Sequence, residues 1–498
     1  MIRNLLAITL LLSSIYMNAQ DIMGYEIRVK MDGYTGQKMF LGNYFGDKEY
    51  LKDSASIDKK GWFVFKGTEA LPCGIYSIIN EERNSRILEF VVNSEDQHFS
   101  LKTDYDNPVA GLTVTESTDN LLFSDYQKYM MNNGKRRMEL GKQYTDLNAR
   151  KSDSANLIKT QIEKMDADYA AYRDAIISNN PSSLTARILK ALIEPEVPEA
   201  PLLSDGTPDK EFQYRYYKKH YWDNVDFTED CLVRTPFFHS RLERYFTKMV
   251  LQIPDSINYE ADYLVSMAKG KKELYHYIVW WVTMYYERSQ YMCMDAVPVH
   301  MWKNYYVWPD AFWVDTTTMT RIQERLKVMD PLCCNKVTPN LVMKDTAHKY
   351  RSLHGVQAKY TVLLFWDPDC SHCKKEMPII KKMYDSLKSY GVEVYAVGVE
   401  QEYDKWKSYI IENNLNWINV IDIYNESNFR SLYDINSTPI LYLLDADKKI
   451  LAKKMGAKQL NEILLRELGI VDRNTPLPPD EDKQPEPDHH IEDAQPQN

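Results

Sequence analysis

The spacing of hydrophobic residues changes along the chain, and the first stretch shows the alternation that half-buried strands have. Segments such as "YEIRVKM", "GWFVFKG" and "ILEFVVN" are separated by turn-forming stretches such as "MDG" and "DKKG". Successive side chains of a strand point to opposite faces, so one face packs while the other meets water. We therefore predict a small β-sandwich or sheet domain over residues 20–110.

Helical spacing replaces the alternation in the middle of the chain. Apolar residues recur there at steps of three and four, which places them on one side of a helix: Ile158, Ile162, Met165, Tyr169, Tyr172 and Ile176. "SNNP" ends this helix, and "SSLTARILKALI" begins the next one with a serine cap. Residues 111–329 are predicted to form an α-helical domain, whose aromatic side chains form a packed core or, alternatively, a groove for a peptide or ligand.

A third pattern, typical of an α/β domain, begins at about residue 330. "YTVLLFW" and "EVYAVGV" are apolar runs that suit strands buried on both faces, and a helix from about Cys370 to Tyr390 connects them. "PILYLLDADKKILAKKMG" predicts two strands joined by a tight turn, and "KQLNEILLREL" predicts a closing helix. We assign residues 330–472 to this domain, and residues 473–498, which are rich in Pro, Asp and Glu, to a disordered tail.

Residues 1–19 have the layout of a secretory signal peptide, with Arg3, an apolar core and then Ala19 before the cleavage point. The core is too short for a membrane span, and so is the most apolar later run, "LYHYIVWWVTMYY". The net charge of −10, without a basic stretch, argues against a nucleic-acid partner. We therefore expect an exported protein of the periplasm or cell envelope, with no integral membrane span.

Seven cysteines among 498 residues are too few for a scaffold built on disulfides. Cys370 and Cys373 are separated by two residues and stand between an apolar strand and a lysine-rich helical pattern. Such a pair exchanges electrons, holds a metal or bridges a loop, and the second well-spaced pair of a four-ligand zinc site is missing. Redox exchange is the favoured interpretation, while Cys333 and Cys334 are interpreted as ordinary linker thiols.

The position of Cys370 gives the redox interpretation a physical basis. At the N-terminus of a helix, free N–H groups and the helix dipole favour an anion, so a thiol there ionises more readily. His372 adds positive charge nearby. Cys373 follows one turn later on the same face, so we expect Cys370 to attack a disulfide and Cys373 to resolve the mixed disulfide.

A proline far from the cysteines strengthens this interpretation. In "NSTPILYLL", Pro439 stands directly before an apolar strand, where its missing N–H marks a shaped junction. A cis bond between Thr438 and Pro439 would turn the backbone toward the cysteines, where it could bind an extended substrate chain. The alternative is an ordinary trans proline at the start of a strand.

Three segments carry a family resemblance, namely "LLFWDPDCSHCKKEMP", "GVEVYAVGV" and "STPILYLLDADKKI". They make residues 331–470 similar to the thioredoxin-fold domain of exported TlpA/ResA-type thiol–disulfide oxidoreductases. By position, the resemblance implies that Cys370 is the nucleophile, Cys373 the resolving thiol and Glu376 a carboxylate that tunes the thiol pKa and relays protons. It also implies that Pro439 is the cis-proline and that Thr438 is its neighbour at the substrate face. We predict four substrate-binding residues in all: Trp366, His372, Thr438 and Pro439.

The same resemblance implies an enzyme without a cofactor or a metal. Its partners would be protein thiol or disulfide substrates and an upstream thiol that donates electrons. Upstream, "DSASIDKKGWFVFKG" resembles an uncharacterised β domain of exported thioredoxin-like proteins. "YYKKHYWDNVDFTEDCLVRTPFFHSRLERYF" resembles an uncharacterised helical domain that precedes them in Gram-negative envelope proteins. Neither resemblance implies a chemistry for these domains.

Departures from the family pattern leave the direction of electron flow open. Asp369 stands where many members have an aromatic residue, and its carboxylate opposes thiolate formation. His372 is similar to the histidine of strongly oxidising disulfide-forming enzymes and acts in the opposite sense. Glu376 has an alternative as an exposed residue of the first helical turn.

The sequence therefore predicts an exported thiol–disulfide oxidoreductase. The alternatives are a non-catalytic envelope scaffold, in which a thioredoxin fold and aromatic helices bind a partner, and a thiol peroxidase. The intact cysteine pair argues against the scaffold. "DPDC" lacks the threonine that a peroxidase normally has before its reactive cysteine.

Overall fold

The computed structural model describes residues 24–150 and 154–472. The predicted signal peptide and the predicted tail lie outside the described residues. The chain divides into two compact units. One contains residues 24–250 and 265–277, and the other contains residues 251–264 and 278–472.

The first unit begins with eight strands in two four-stranded sheets. One sheet has the order β4-β1-β7-β8 and the other β3-β2-β5-β6. The strands are β1 Tyr25–Asp32, β2 Lys38–Phe45, β3 Lys48–Ser56, β4 Phe63–Gly67, β5 Gly74–Ile79, β6 Arg86–Val92, β7 His98–Asp104 and β8 Thr113–Thr115.

Both sheets contribute side chains to one core, which confirms the predicted β-sandwich. In β1 the burial of side chains alternates, as the sequence indicated, and its Ile27 and Val29 are fully buried. Phe65 and Phe99 of the same sheet share the core with residues of the other sheet, such as Phe90. The period of two therefore reflects real packing on one face of each strand.

Helices follow the sandwich, and the second of them contains the predicted stripe. The helices before the α/β region are α1 Thr118–Ala149, α2 Ser154–Asn179, α3 Leu184–Ala191, α4 Phe212–His220, α5 Pro236–Arg244, α6 Pro254–Met267, α7 Lys272–Glu287, α8 Ala296–Tyr305 and α9 Thr316–Met329. Tyr172 in the stripe of α2 stacks on Tyr129 of α1 with ring centroids 4.2 Å apart. The predicted serine cap is Ser183, whose hydroxyl accepts a hydrogen bond from the Ala186 N–H.

The second unit contains a seven-stranded mixed sheet of order β10-β9-β13-β12-β11-β14-β15. Its strands are β9 Val342–Asp345, β10 Tyr350–Ser352, β11 Tyr360–Trp366, β12 Val392–Gly398, β13 Ile418–Ile421, β14 Ile440–Leu444 and β15 Ile450–Lys453. Strand β11 lies between β12, to which it is parallel, and β14, to which it is antiparallel, and all of its residues are buried. Its unbroken apolar run is the result of burial on both faces.

Helices cover this sheet on both sides, as in the predicted thioredoxin fold. They are α10 Ser371–Leu387, α11 Tyr403–Glu412, α12 Phe429–Leu432 and α13 Ala457–Glu467. Residues Val362 and Leu364 of β11 belong to one core cluster, and Leu363 and Phe365 belong to another. The fold class predicted from the sequence is therefore confirmed.

The structure corrects the interpretation of the cysteines outside the pair. Cys334 is not a linker thiol, because it forms a disulfide with Cys293. Cys333 is a free thiol, but it is buried among the residues that precede the sheet. A second disulfide joins Cys73 to Cys231 in the first unit, across 158 residues. These pairings depend on tertiary proximity, which the spacing of cysteines does not reveal.

Among the described residues, we find no helix that combines the length and the apolar composition needed to cross a membrane.

Candidate active site

The cysteine pair lies where β11 gives way to α10. Cys370 is the N-cap residue of α10 and has an extended backbone conformation. Its sulfur accepts a hydrogen bond from the backbone N–H of Cys373, with 3.3 Å between N and Sγ. The sulfur thus takes the place that a serine or aspartate oxygen takes in an ordinary helix cap. This confirms that Cys370 stands at the positive end of a helix dipole.

The turn before β14 supplies the second wall of the site. The bond between Thr438 and Pro439 is cis, as predicted. The Cys370 thiol donates a hydrogen bond to the carbonyl oxygen of Thr438, with 3.2 Å between Sγ and O. Thr438 and Pro439 are both partly exposed, so this backbone faces the sulfur and also solvent. The structure therefore brings together the two sequence motifs that lie 68 residues apart.

The two thiols differ in accessibility and in acidity. Cys370 is partly exposed, whereas Cys373 is 2% exposed. Partial burial acts to raise the pKa of Cys370, but hydrogen bonds to its sulfur from Cys373, from the Thr438 side chain and from the backbone N–H of His372 outweigh it and lower the net pKa. Burial, with a smaller contribution from Cys370, raises the pKa of Cys373 to about 12. The first thiol is therefore the one suited to attack, and the second remains protonated.

Two of the predicted substrate-binding residues, Trp366 and His372, differ in their exposure to solvent. The prediction for Trp366 is wrong, because its side chain is 0% exposed and belongs to the core beneath the site. Trp366 is the last residue of β11, and the helices on that face of the sheet cover its indole. His372 is exposed on the first turn of α10, where a bound chain can reach it.

Glu376 has a partner that the sequence did not reveal. It is neither fully exposed nor fully buried, and its carboxylate accepts a hydrogen bond from the backbone N–H of Ala457. Ala457 is the first residue of α13, so the carboxylate caps the N-terminus of that helix and meets its positive dipole end. The carboxylate thus links α10, which carries both cysteines, to α13.

Sequence reasoning missed the contribution of α11 to this region. Tyr409 lies with its ring centroid 5.2 Å from that of Trp366, and burial, with a smaller contribution from the nearby Cys373, raises its pKa. One turn earlier, Lys405 forms ion pairs with Asp369 and Glu400. The spacing of Lys405 and Tyr409 places them on one helical face, but no local signal shows which part of the fold that face meets.

Three carboxylates lie close together near the cysteines. One oxygen from each of Asp367, Asp369 and Glu400 lies within 4.8 Å of the others. The ammonium group of Lys405 already supplies positive charge to Asp369 and Glu400. The Asp367 carboxylate accepts the backbone N–H of Asp369 at 2.7 Å. Loop geometry and an ion pair therefore account for this cluster, and it does not indicate a cation site.

Three family models match consecutive parts of the chain. The AhpC/TSA family matches residues 334–474, and two domains of unknown function, DUF5106 and DUF4369, match residues 153–330 and 25–155. The first match covers the α/β region with the paired cysteines. Fold and dithiol together define the class as thioredoxin-like proteins with two N-terminal domains of unknown function.

Among curated relatives, the chain is similar to thiol-disulfide oxidoreductase ResA of Bacillus thuringiensis subsp. konkukian. The two are 30% identical over 132 residues, which is 26% of this chain and 75% of that protein. ResA of Bacillus anthracis is 27% identical over 128 residues, 26% of this chain and 73% of the relative. The chain therefore belongs to the ResA family of thiol-disulfide oxidoreductases, which are enzymes.

The chain is also similar to solved structures. A domain of a possible thiol-disulfide isomerase from Cytophaga hutchinsonii ATCC 33406 is 40% identical. The match covers 28% of this chain and 96% of that domain, with a TM-score of 0.27.

Proposed function

We propose that this protein is an exported thiol–disulfide oxidoreductase that exchanges disulfides with protein substrates through Cys370 and Cys373. One observation carries the proposal. The Cys370 sulfur is partly exposed, accepts the N–H of Cys373 at the start of a helix and has a lowered pKa, while the second thiol is sheltered behind it. A dithiol with one accessible, acidic sulfur is the arrangement that stepwise exchange requires.

The exchange has two steps in the reductive direction. The Cys370 thiolate attacks one sulfur of a substrate disulfide, forms a mixed disulfide and releases the other substrate sulfur as a thiolate that takes up a proton. Cys373 then loses its proton and attacks the Cys370 sulfur. The Cys370–Cys373 disulfide forms, the second substrate thiol leaves, and two electrons have passed to the substrate. The oxidative direction reverses both steps.

We propose that Glu376 accepts the proton that Cys373 loses. The turn at Thr438 and Pro439 would bind the backbone of the substrate. Glu376 follows Cys373 by three residues on α10 and is partly buried, which suits a group that exchanges protons near the site. The Thr438 carbonyl meets the Cys370 thiol, so a chain bound to this carbonyl would hold its disulfide at the nucleophile. His372 would contact the same chain from the first turn of α10.

The working environment is proposed to be the periplasm or cell envelope. Residues 1–19 resemble a signal peptide, and disulfides such as Cys73–Cys231 and Cys293–Cys334 persist in oxidising compartments. An upstream thiol protein would restore the dithiol after each reductive cycle. The β domain of residues 20–110 and the helical domain of residues 111–329 would position a partner or present a substrate.

The test compares wild type with Cys370→Ser on an insulin-type disulfide substrate with a small thiol as the electron source. We expect wild type to turn over and Cys370→Ser to fall to the uncatalysed rate. Cys333→Ser is the matched control, because it removes a free thiol outside the pair and should keep the wild-type rate. Equal turnover by wild type and Cys370→Ser would contradict the proposal, and rapid peroxide consumption that depends on Cys370 would favour the peroxidase.

A further inference from the structure

A charged side chain from α11 reaches the residue directly before the nucleophile. The ammonium group of Lys405 forms an ion pair with the carboxylate of Asp369. It forms a second one with Glu400, with 3.2 Å between Nζ and Oε2. Asp369 precedes Cys370 in the loop that joins β11 to α10. The cation therefore lies on the carboxylate that is closest in sequence to the reacting sulfur.

The position of this cation is held by packing around it. Trp406, the next residue of α11, is 0% exposed and packs against Gly398 at the end of β12. A Cβ at Gly398 would come within 2.5 Å of the Trp406 ring, so glycine permits the helix to approach the sheet this closely. The Glu400 carboxylate is fixed in turn by the backbone N–H of Gln401, 2.7 Å away. Lys405 thus extends from a rigid base.

The ion pair of Asp369 and Lys405 should affect how readily the Cys370 thiol loses its proton. An uncompensated carboxylate beside a thiol opposes loss of its proton, and a nearby cation favours it. The pair is partly exposed, with side-chain exposures of 62% for Asp369 and 37% for Lys405, so its effect is screened by solvent and salt. The effect on Cys370 should therefore be moderate in size but definite in sign.

We propose that Lys405 is a positioning residue of the oxidoreductase reaction, which neutralises Asp369 and so keeps Cys370 available as a thiolate. The inference rests on the proposed role of Cys370 as the nucleophile. The proposal requires the two single substitutions to have opposite effects on the stability of the Cys370 thiolate. Removing the cation exposes the carboxylate and disfavours the thiolate, whereas removing the Asp369 carboxylate takes a negative charge away from the sulfur and favours the thiolate.

Other titratable groups belong to the elements around Cys370 and must be held constant in the test. The described ones are Asp367 on the preceding loop, His372, Cys373, Lys374, Lys375 and Glu376 on α10, Glu400 after β12, and Tyr409 on α11. None of them is altered in the variants below, so any change in the titration of Cys370 reports the pair.

The experiment is a double-mutant cycle on the reduced full-length protein. The rate of alkylation of Cys370 by iodoacetamide is followed by mass spectrometry from pH 5 to pH 10 in wild type, Lys405→Met, Asp369→Asn and the double variant. In Lys405→Met we expect the midpoint of the pH profile of alkylation to move to higher pH. At pH values below that midpoint, the alkylation rate should fall roughly twofold to fivefold. In Asp369→Asn we expect the midpoint to move to lower pH, and in the double variant to return to near wild type.

Two further variants make the result specific. Lys405→Arg keeps the charge and should keep the wild-type midpoint. Lys407→Met removes a cation of the same helix, one that lies over the Tyr403 ring, and should also leave the midpoint unchanged. High salt should shrink the shifts of the single variants, because an exposed pair is screened.

The outcomes separate this inference from the proposed function. If both single variants shift the midpoint in the same direction, or neither shifts it, while wild-type Cys370 is alkylated readily, the pair has only a structural role and the inference is wrong. If Cys370 resists alkylation in wild type as well, the proposed function fails instead.

Discussion

Two pairs of cysteines in the same unit are used in opposite ways. Cys293 and Cys334 are 41 residues apart and form a disulfide. Cys370 and Cys373 are separated by two residues and remain free thiols, with the first sulfur partly exposed at the start of a helix. Close spacing keeps the second pair from closing any long loop, so its bond contributes little to stability and can open and close during catalysis.

Cys333 shows that a neighbouring disulfide does not by itself make a thiol reactive. It precedes Cys334 directly, yet it is 3% exposed and burial raises its pKa to about 11. Its thiol donates to the carbonyl oxygen of Met329, and within the described residues no backbone N–H donates to its sulfur as one does at Cys370. The difference teaches that exposure and donated hydrogen bonds decide which sulfur attacks.

The largest effect should come from removing the resolving thiol. In Cys373→Ser we expect multiple turnover to fall by about a thousandfold or more, since the mixed disulfide on Cys370 has no partner to release it. The trapped species should appear on non-reducing mass spectra as the mass of protein plus substrate. Full turnover by this variant would abolish the distinction between the two pairs.

Selective labelling should sharpen the contrast among the three free thiols. With iodoacetamide at pH 8, we expect Cys370 to react at least about a hundredfold faster than Cys373 and Cys333, whose thiols are buried and have raised pKa values. Because the pKa of Cys370 is lowered, its labelling rate should rise with pH and level off at a lower pH than that of a cysteine peptide. Peptide mapping checks both points, and equal labelling of the three would contradict them.

Loss of a bridge should affect stability and leave catalysis unchanged. In Cys293→Ala/Cys334→Ala we expect the free energy of unfolding to fall by about 2–4 kcal/mol, with turnover at the dithiol unchanged. In the chain-entropy account, deleting the Cys73–Cys231 bridge, which closes 158 residues, should cost about 1 kcal/mol more. Denaturant unfolding followed in each unit measures both values. A loss of turnover without a loss of stability would contradict the view that these disulfides are structural and the Cys370–Cys373 pair catalytic.

The smallest effect concerns the carboxylate that joins α10 to α13. Glu376→Gln keeps an acceptor for the Ala457 N–H but removes the charge from the helix end, so we expect a loss of about 0.5–1 kcal/mol in unfolding free energy. If Glu376 also relays protons, the pH profile of turnover should change as well. A stability change with an unchanged pH profile would limit Glu376 to capping.

The features that sequence reasoning recovered are those encoded locally. Cys370 at the junction of an apolar strand with a helix, and Pro439 at the start of the next apolar strand, each carry their own signal. The N-cap sulfur followed from the position of Cys370, whereas the cis bond at Pro439 was favoured over a trans bond by the family resemblance and is present in the structure. For the same reason, the alternation in β1 was enough to predict the sandwich.

The features that sequence reasoning missed depend on distant contacts. The run that ends at Trp366 is buried on both faces, so its pattern does not show whether the indole meets substrate or core. Lys405 reaches Asp369 only because α11 docks through Trp406 and Gly398, which no spacing in the sequence encodes. The partner of Cys334 likewise became known only from the fold.

The pairing of β11 with β14 has a consequence for how the catalytic centre can vary. Phe365 pairs with Ile440 in this antiparallel pair, so the end of β11 and the start of β14 lie side by side. The segments that carry Cys370 and Thr438 therefore leave the same edge of the sheet. The sulfur and the opposing carbonyl therefore share a single rigid frame. Ser371 and His372 lie outside these paired strands. Substituting them should therefore change the reduction potential of the Cys370–Cys373 couple while the surrounding fold stays the same.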